Sequence, residues 1–214
     1  EYGGIILGGD CSKGNQKAIS ITAFGIQGEI ELRRNACKSG DVILTTGIHG
    51  LSKLGFLIKN KIYFDNDISL NKRLISKSIE HFCRPKVYPN FLKNLIKTRS
   101  NKKIKRIGCT DSSDGLFQAL QDLASASKCK AIINYEKIPK DKDWPRGNKW
   151  DEYYFFGGED YELVFSLPKK WAKNLTKLDK EINEIGFFTD GEPSIEFKDS
   201  KKNKLLEITP FKHF

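Results

Sequence analysis

Two carboxylates, three hydroxyls and a glycine share one short run, Thr110-Asp111-Ser112-Ser113-Asp114-Gly115. An apolar, strand-like stretch (Ile104 to Cys109) enters it, and a helix-like stretch (Leu116 to Ser127) leaves it. A strand-to-helix turn of this kind can place backbone N–H groups and the positive helix end beside an anion. Its carboxylates can hold a hard cation that touches the same anion. That is the chemistry of a metal–phosphate site. Ser and Asp also begin ordinary helices as N-caps, so the run by itself leaves both readings open.

Two more acidic, glycine-flanked turns stand out, Gly8-Gly9-Asp10 and Gly157-Gly158-Glu159-Asp160. Glycine permits close backbone approach to a ligand. Carboxylate oxygens without neighbouring His–Cys clusters favour Mg²⁺ over zinc or copper. Mg²⁺ commonly shares one or two carboxylates with substrate phosphates. Two or three such turns meeting in space would therefore form a nucleotide–Mg²⁺ site, although Asp and Gly are also common turn residues. No P-loop or dinucleotide fingerprint occurs. No Ser–His or Cys–His nucleophile pair is evident, and the catalytic residues stay unassigned. His49, His81 and His213 stand isolated in sequence and read as structural or surface residues.

The elements that must position these turns follow from periodicity. Ile5 to Leu7 reads as a strand, and Ile19, Ile21 and Ala23 alternate with polar residues as a second, so the pair suggests a hairpin with a long loop. Val42 to Thr46 is β-branched and bounded by turn residues, and Glu29 to Arg34 is a further candidate strand. Helical spacing marks Leu51 to Ile58, Leu70 to Phe82 (stopped by Pro85) and Pro89 to Thr98. Ala131 to Tyr135 and Tyr161 to Phe165 read as strands, and Lys137 to Asp151 as an irregular loop. Trp171, Leu175, Leu178, Ile182 and Ile185 predict one long amphipathic helix ended by Gly186. Short strands around Phe187 and Ile195 complete the pattern. The class is α+β, a mixed β-sheet with packed helices.

Composition narrows the partners. The 214 residues are 38% hydrophobic and 30% charged, a globular balance. No run approaches the ~18 apolar residues that would span a bilayer, so no membrane partner is expected. The net charge of +10 comes mostly from lysines spread along the chain. Arginine-based reading of bases is not the pattern, and no nucleic-acid partner is expected. Five cysteines without a CxxC pair argue against a disulfide framework or a zinc site and suit a cytoplasmic location. The chain has no methionine and opens almost at once on a strand pattern, which suggests a piece lacking its N-terminal part.

Several motifs together resemble one family. Gly8 to Gly14, Leu32-Arg33-Arg34, Ser39 to Ile43, Thr46-Gly47, Arg84-Pro85, Thr110 to Leu116 and Gly157 to Leu163 occur in the order seen in the thiamine-monophosphate kinase family. That family belongs to the aminoimidazole-ribonucleotide-synthetase-like superfamily. The resemblance implies ATP- and Mg²⁺-dependent phosphorylation of thiamine monophosphate to thiamine diphosphate by direct in-line transfer. It implies that residues 1–27 are the tail of an N-terminal ATP- and metal-binding, dimer-forming domain, and that 28–214 form the C-terminal α/β domain. Asp10, Asp111 and Asp114 would bind Mg²⁺. Tyr2, Gly9, Asp10, Arg34 and Ser113 would contact the nucleotide, and Glu159 and Phe211 the thiamine phosphate. A homodimer is expected of the complete protein, and this piece alone is expected to be inactive. Departures from the family pattern occur at Cys11-Ser12-Lys13, Leu51, Val87-Tyr88 and Ser112. Another ATP-dependent synthetase of the superfamily, or a non-catalytic basic binding module, is the alternative.

Overall fold

The computed structural model describes residues 4–62 and 70–199. In chain order the strands are β1 (Glu31–Arg33), β2 (Val42–Thr46), β3 (Arg106–Asp111), β4 (Lys130–Ile133), β5 (Leu163–Leu167), β6 (Ile182–Thr189) and β7 (Ser194–Phe197). The helices are α1 (Leu51–Lys59), α2 (Lys72–Cys83), α3 (Phe91–Thr98), α4 (Leu116–Ser127), α5 (Asn148–Phe156) and α6 (Lys169–Leu178). One mixed sheet runs β1-β3-β5-β2-β6-β4-β7. The two outer pairs, β1–β3 and β4–β7, are parallel, and the inner pairs are antiparallel.

Helices cover both sheet faces, so the central strands carry apolar side chains on both sides rather than alternating with polar ones. All five residues of β2 are buried. Ile43 packs on one face with α1, α2, α4 and α5 through Leu54, Leu74, Leu120 and Phe155. Val42 and Leu44 face the other layer, where α3 and α6 contribute Phe91, Leu95, Trp171 and Leu175. Trp171 is fully buried and donates its indole N–H to the Leu95 carbonyl at 3.0 Å, so its one polar atom is satisfied inside the core.

The structure departs from the sequence expectation in three places. The predicted hairpin does not form: residues 4–28 contain no strand, and Ile5, Ile6, Leu7, Ile19 and Ile21 are all more than 80% exposed. Alternation marks a strand only where a neighbouring strand takes up its hydrogen bonds, and none of the described residues does so. The predicted long helix ends at Leu178, and Ile182, Ile185 and Gly186 belong to β6. Gly186 is a close-approach residue rather than a helix terminator, since a Cβ there would lie 2.2 Å from the Ile132 carbonyl oxygen on β4. A register shift opposite Ile43 and Leu44 breaks the burial alternation of β6 and leaves a three-residue spacing that mimics a helix. Lastly, the segment read as a loop to Asp151 contains the start of α5, whose Trp150, Tyr154 and Phe155 are buried.

The stretch between α5 and β5 anchors α1. The Asp160 carboxylate accepts from the backbone N–H groups of Gly50 (2.5 Å) and Ser52 (2.9 Å) at the start of α1. Gly50 itself offers no capping side chain, so Asp160 supplies the cap from 110 residues away. Burial pushes this carboxyl up to about 7, against the pull of the two N–H groups and of the nearby His81.

Two outcomes follow. Gly to Ala inside a helix ordinarily stabilises by up to about 1 kcal/mol. At Gly55 of α1 a Cβ would lie 2.1 Å from the Ser78 carbonyl oxygen and 2.8 Å from the Phe82 Cβ, both on α2. Gly55→Ala is therefore expected to destabilise by about 1–3 kcal/mol, read as a lower urea midpoint. The second concerns pH. A folded carboxyl raised to about 7 from an ordinary 3.8 keeps its proton where the unfolded chain has lost it. Its contribution is fully present below pH ~4 and is lost as pH rises through ~7. Thermal unfolding followed across that window should show wild type losing stability relative to Asp160→Asn, with parallel curves refuting the assignment.

Candidate functional site

Strand direction collects the chemistry at one sheet edge. β2 and β3 both run antiparallel to β5, and β2 runs antiparallel to β6. The last residues of β2 and β3 therefore lie beside the first residues of β5 and β6. Thr46, Asp111 and Glu162 all fall at this edge.

Two turns meet there and are bonded to each other. Ser112 N–H donates to the Glu162 carbonyl at 2.8 Å. Glu162 N–H donates back to Ser112 Oγ at 3.1 Å, and Glu159 N–H donates to the Ser113 carbonyl at 2.7 Å. Gly115 closes the first turn at φ +96°, and a Cβ would sit 3.0–3.1 Å from the carbonyl oxygens of Phe156 and Gly157. Gly115 is also the N-cap residue of α4 and has no side chain of its own with which to cap that helix. In the second turn Glu159 (φ 67°) and Tyr161 (φ 54°) adopt left-handed backbone conformations that are costly for non-glycine residues. Such strain persists where surrounding bonds over-determine the turn, as the Ser113, Ser112 and α1 contacts do here.

Of the residues singled out from the sequence, five gather at this edge. Asp111 ends β3, Ser113 and Asp114 form the following turn, and Glu159 is bonded to that turn. Arg34 lies on its flank, where Nε donates to Thr110 Oγ1 at 3.1 Å and a terminal nitrogen lies 3.6 Å from Asp122. The Arg34 side chain is 60% exposed, so the guanidinium is held in place yet open to solvent. Gly9 and Asp10 are not brought to the site. Both are exposed, and the one hydrogen bond seen at the Asp10 carboxylate comes from Ser12 at 3.5 Å. Tyr2 and Phe211 lie outside the described residues, as does His213. Among the described residues no group of three or more His, Cys, Asp and Glu is placed to hold a metal. Asp111 and Asp114 are the carboxylates at this turn, a hard-oxygen pair suited to Mg²⁺ shared with phosphate oxygens.

The sequence reading missed a buried acidic layer behind the turns. The Glu162 side chain is 5% exposed and Asp160 fully buried. Thr46 Oγ1 donates to Glu162 Oε2 at 2.5 Å and accepts from Leu163 N–H at 2.9 Å. His81 is not isolated: its ring nitrogens lie 3.7 Å from each carboxylate, with Nδ1 3.0 Å from Ser52 Oγ. His49 is fully buried, and burial pushes it down to about 4, a neutral imidazole 2.6 Å from Thr45 Oγ1. The available signal was the run Glu159-Asp160-Tyr161-Glu162, where two acids flank a tyrosine just before an apolar strand.

A cleft of about 570 Å³ opens beside Glu162, between α2, the loop into α3 and the start of β6. Leu51, Val87 and Tyr88 line it. Burial, and then the nearby Glu162 carboxylate, push the Tyr88 phenol well above its ordinary value.

Comparison with known proteins gives a consistent result. Residues 38–198 match the family model described as AIR synthase related protein, C-terminal domain. A thiamine-monophosphate kinase of Prochlorococcus marinus is 35% identical over 214 residues, covering all of this chain and 64% of its own. One from Nitrosopumilus maritimus is 32% identical, covering all of this chain and 66% of its own. The chain thus spans just under two thirds of the length of these relatives. Among solved structures, AaThiL complexed with AMPPCP and TMP is 27% identical with a TM-score of 0.61, covering 85% of this chain and 53% of that one. A thiamine-monophosphate kinase from Stenotrophomonas maltophilia has the same fold at 21% identity, with a TM-score of 0.63 over 78% of this chain and 52% of its own. With a mixed seven-stranded sheet and a match over residues 38–198, from just before β2 to the end of β7, the chain belongs to the AIR synthase related protein, C-terminal domain, family.

Proposed function

We propose that this chain is the C-terminal part of an ATP- and Mg²⁺-dependent kinase that phosphorylates thiamine monophosphate to thiamine diphosphate by direct in-line transfer. The observation that carries the proposal is the bonded pair of turns, which brings Asp111, Ser113, Asp114 and Glu159 to one sheet edge. The named relatives supply the substrate, and the AMPPCP and TMP complex of a related structure supports a nucleotide and a second phosphorylated ligand.

Phosphoryl transfer depends mostly on positioning and charge neutralisation. Asp111 and Asp114 would hold Mg²⁺, which supplies positive charge to the phosphate oxygens when bound. Ser113 would contact the nucleotide. Arg34, pinned at Thr110 but open to solvent, would meet ATP phosphates. Glu159 would contact the thiamine phosphate. Gly9 and Asp10 would reach the nucleotide and metal only if residues 1–27 fold as the tail of a separate N-terminal domain. Tyr2 would join the nucleotide site and Phe211 the thiamine moiety. No side chain is assigned as a general base. We infer further that the complete enzyme is a cytoplasmic homodimer. Among the described residues no helix is long and apolar enough to cross a membrane.

The test is turnover by the protein carrying the full length of its relatives, with ATP, Mg²⁺ and thiamine monophosphate. Asp114→Asn is expected to lower kcat by at least about a hundredfold with an unchanged melting temperature. Wild-type turnover in that variant would remove Asp114 from the metal site. The 214-residue chain alone is expected to turn over negligibly, and robust activity from it would show that residues 1–214 already hold a complete site.

A further inference from the structure

The arginine on the flank of the site is held by more of the chain than a surface arginine needs. Arg34 opens a short 3-10 turn, Arg34–Ala36, directly after β1. β1 pairs in parallel with β3, with Arg33 opposite Gly108, so the turn lies against β3 just before Thr110 and Asp111. Gly108 admits it, since a Cβ there would lie 2.1 Å from Cys37 Sγ and 2.9 Å from Cys37 N. The Ser127 hydroxyl, at the end of α4, then fastens both ends of the turn. It donates to the Arg34 carbonyl at 2.9 Å and accepts from Cys37 N–H at 3.1 Å.

Two further contacts fix the side chain. Arg34 Nε donates to Thr110 Oγ1 at 3.1 Å. Asp122, in the middle of α4, faces Arg34 Nη1 with Oδ2 at 3.6 Å, while its Oδ1 accepts from Gln118 Nε2 at 2.7 Å. The charge that guides Arg34 thus sits on a carboxylate that is itself held in place. The Arg34 side chain is nonetheless 60% exposed. An exposed ion pair adds little to stability, and immobilising a long side chain opposes it. A planar fork of N–H donors, held still with its outer edge open, is what recognition of an oxyanion requires. α4 is the common frame: it starts after the Asp111–Gly115 turn, carries Asp122 and ends at Ser127. One helix therefore sets where the guanidinium stands relative to the Asp111 and Asp114 carboxylates.

We propose that Asp122 and Ser127 are positioning residues, which aim Arg34 at a phosphate group held beside the Asp111–Asp114 turn. Ser127 fixes the backbone from which the side chain springs, and Asp122, with Thr110, fixes the plane of the guanidinium. The proposal rests on the kinase reading, in which Arg34 meets ATP phosphates. Neither Asp122 nor Ser127 touches the nucleotide. Asp122 by itself would repel a phosphate, so its removal separates two outcomes: weaker nucleotide binding if it aims Arg34, tighter binding if it does not.

The experiment measures the Kd of ATP with Mg²⁺ by calorimetry, together with kcat and both KM values, in the protein carrying the full length of its relatives. Asp122→Asn and Ser127→Ala are each expected to weaken ATP by about fivefold, the worth of one modest polar contact. The thiamine monophosphate KM should stay within about twofold. The deciding comparison is the double-mutant cycle with Arg34→Ala. Residues that act through Arg34 weaken ATP no further once Arg34 is gone. Losses that add in full to that of Arg34→Ala mark general support of the fold and overturn the proposal, as does tighter ATP binding by Asp122→Asn. The Asp122 side chain is 30% exposed, and its variant serves if Ser127→Ala does not fold. An unchanged ATP Kd in both variants with normal turnover overturns the positioning while the kinase reading stands. ATP binding that follows the cycle, in a protein that does not phosphorylate thiamine monophosphate, sustains the positioning and removes the kinase reading.

Discussion

The reciprocal pairing of Ser112 with Glu162 is the interaction on which the site depends. One residue's N–H goes to the other's carbonyl, and the return bond goes to the serine hydroxyl. Each bond contributes only about 1 kcal/mol net. Their value is geometric, because they extend the β3–β5 ladder past the last paired strand residues, Asp111 and Leu163. The carboxylates of Asp111 and Asp114 are thereby fixed relative to Glu159. Ser112 is fully buried and supplies the hydroxyl for that return bond.

The same constraint accounts for the strained backbone. Glu159 and Tyr161 hold positive φ on either side of Asp160, and Glu162 follows. This zigzag turns the Asp160 and Glu162 side chains inward, one to cap α1 and the other to Thr46. It leaves Glu159 half-buried at the Ser113 turn and Tyr161 exposed. Left-handed backbone of this kind costs of order 1–3 kcal/mol per residue, and the helix cap, the Ser112 bonds and the Thr46 bond offset it. Inward acids need compensation, and His81 sits between them at 3.7 Å from each. The edge is therefore a layered arrangement, with more open carboxylates in front, where metal and phosphate are proposed to bind, and buried ones behind.

Much of this was legible in the sequence where periodicity and local chemistry agreed. β2 at 42–46 and α4 at 116–127 fall on the predicted residues, since a β-branched run between turns and an apolar stripe after Gly115 each permit one reading. The mixed sheet with packed helices was also legible, as were two of the three glycine–acid stretches, those at 110–115 and 157–160, while Gly8-Gly9-Asp10 is not brought to them. The misses share a cause, dependence on distant partners. A register shift against β2 gave β6 a helical spacing, and the 4–28 alternation has no pairing strand among the described residues. Likewise Asp160 caps a helix more than a hundred residues earlier, and His81 meets acids from β5's entry only through the packing of α2 on α1. No local pattern encodes those meetings.

The central claim is that the two bonded turns form one metal–nucleotide edge. The most direct measurement is amide NMR of the isotope-labelled protein, at the full length of its relatives, titrated with ATP and paramagnetic Mn²⁺ in place of Mg²⁺. The account predicts that the amides of Asp111 to Gly115 and of Gly158 to Asp160 broaden together, at the same low Mn²⁺ ratio, with α6 unaffected. Broadening centred elsewhere, or at one turn without the other, would contradict it.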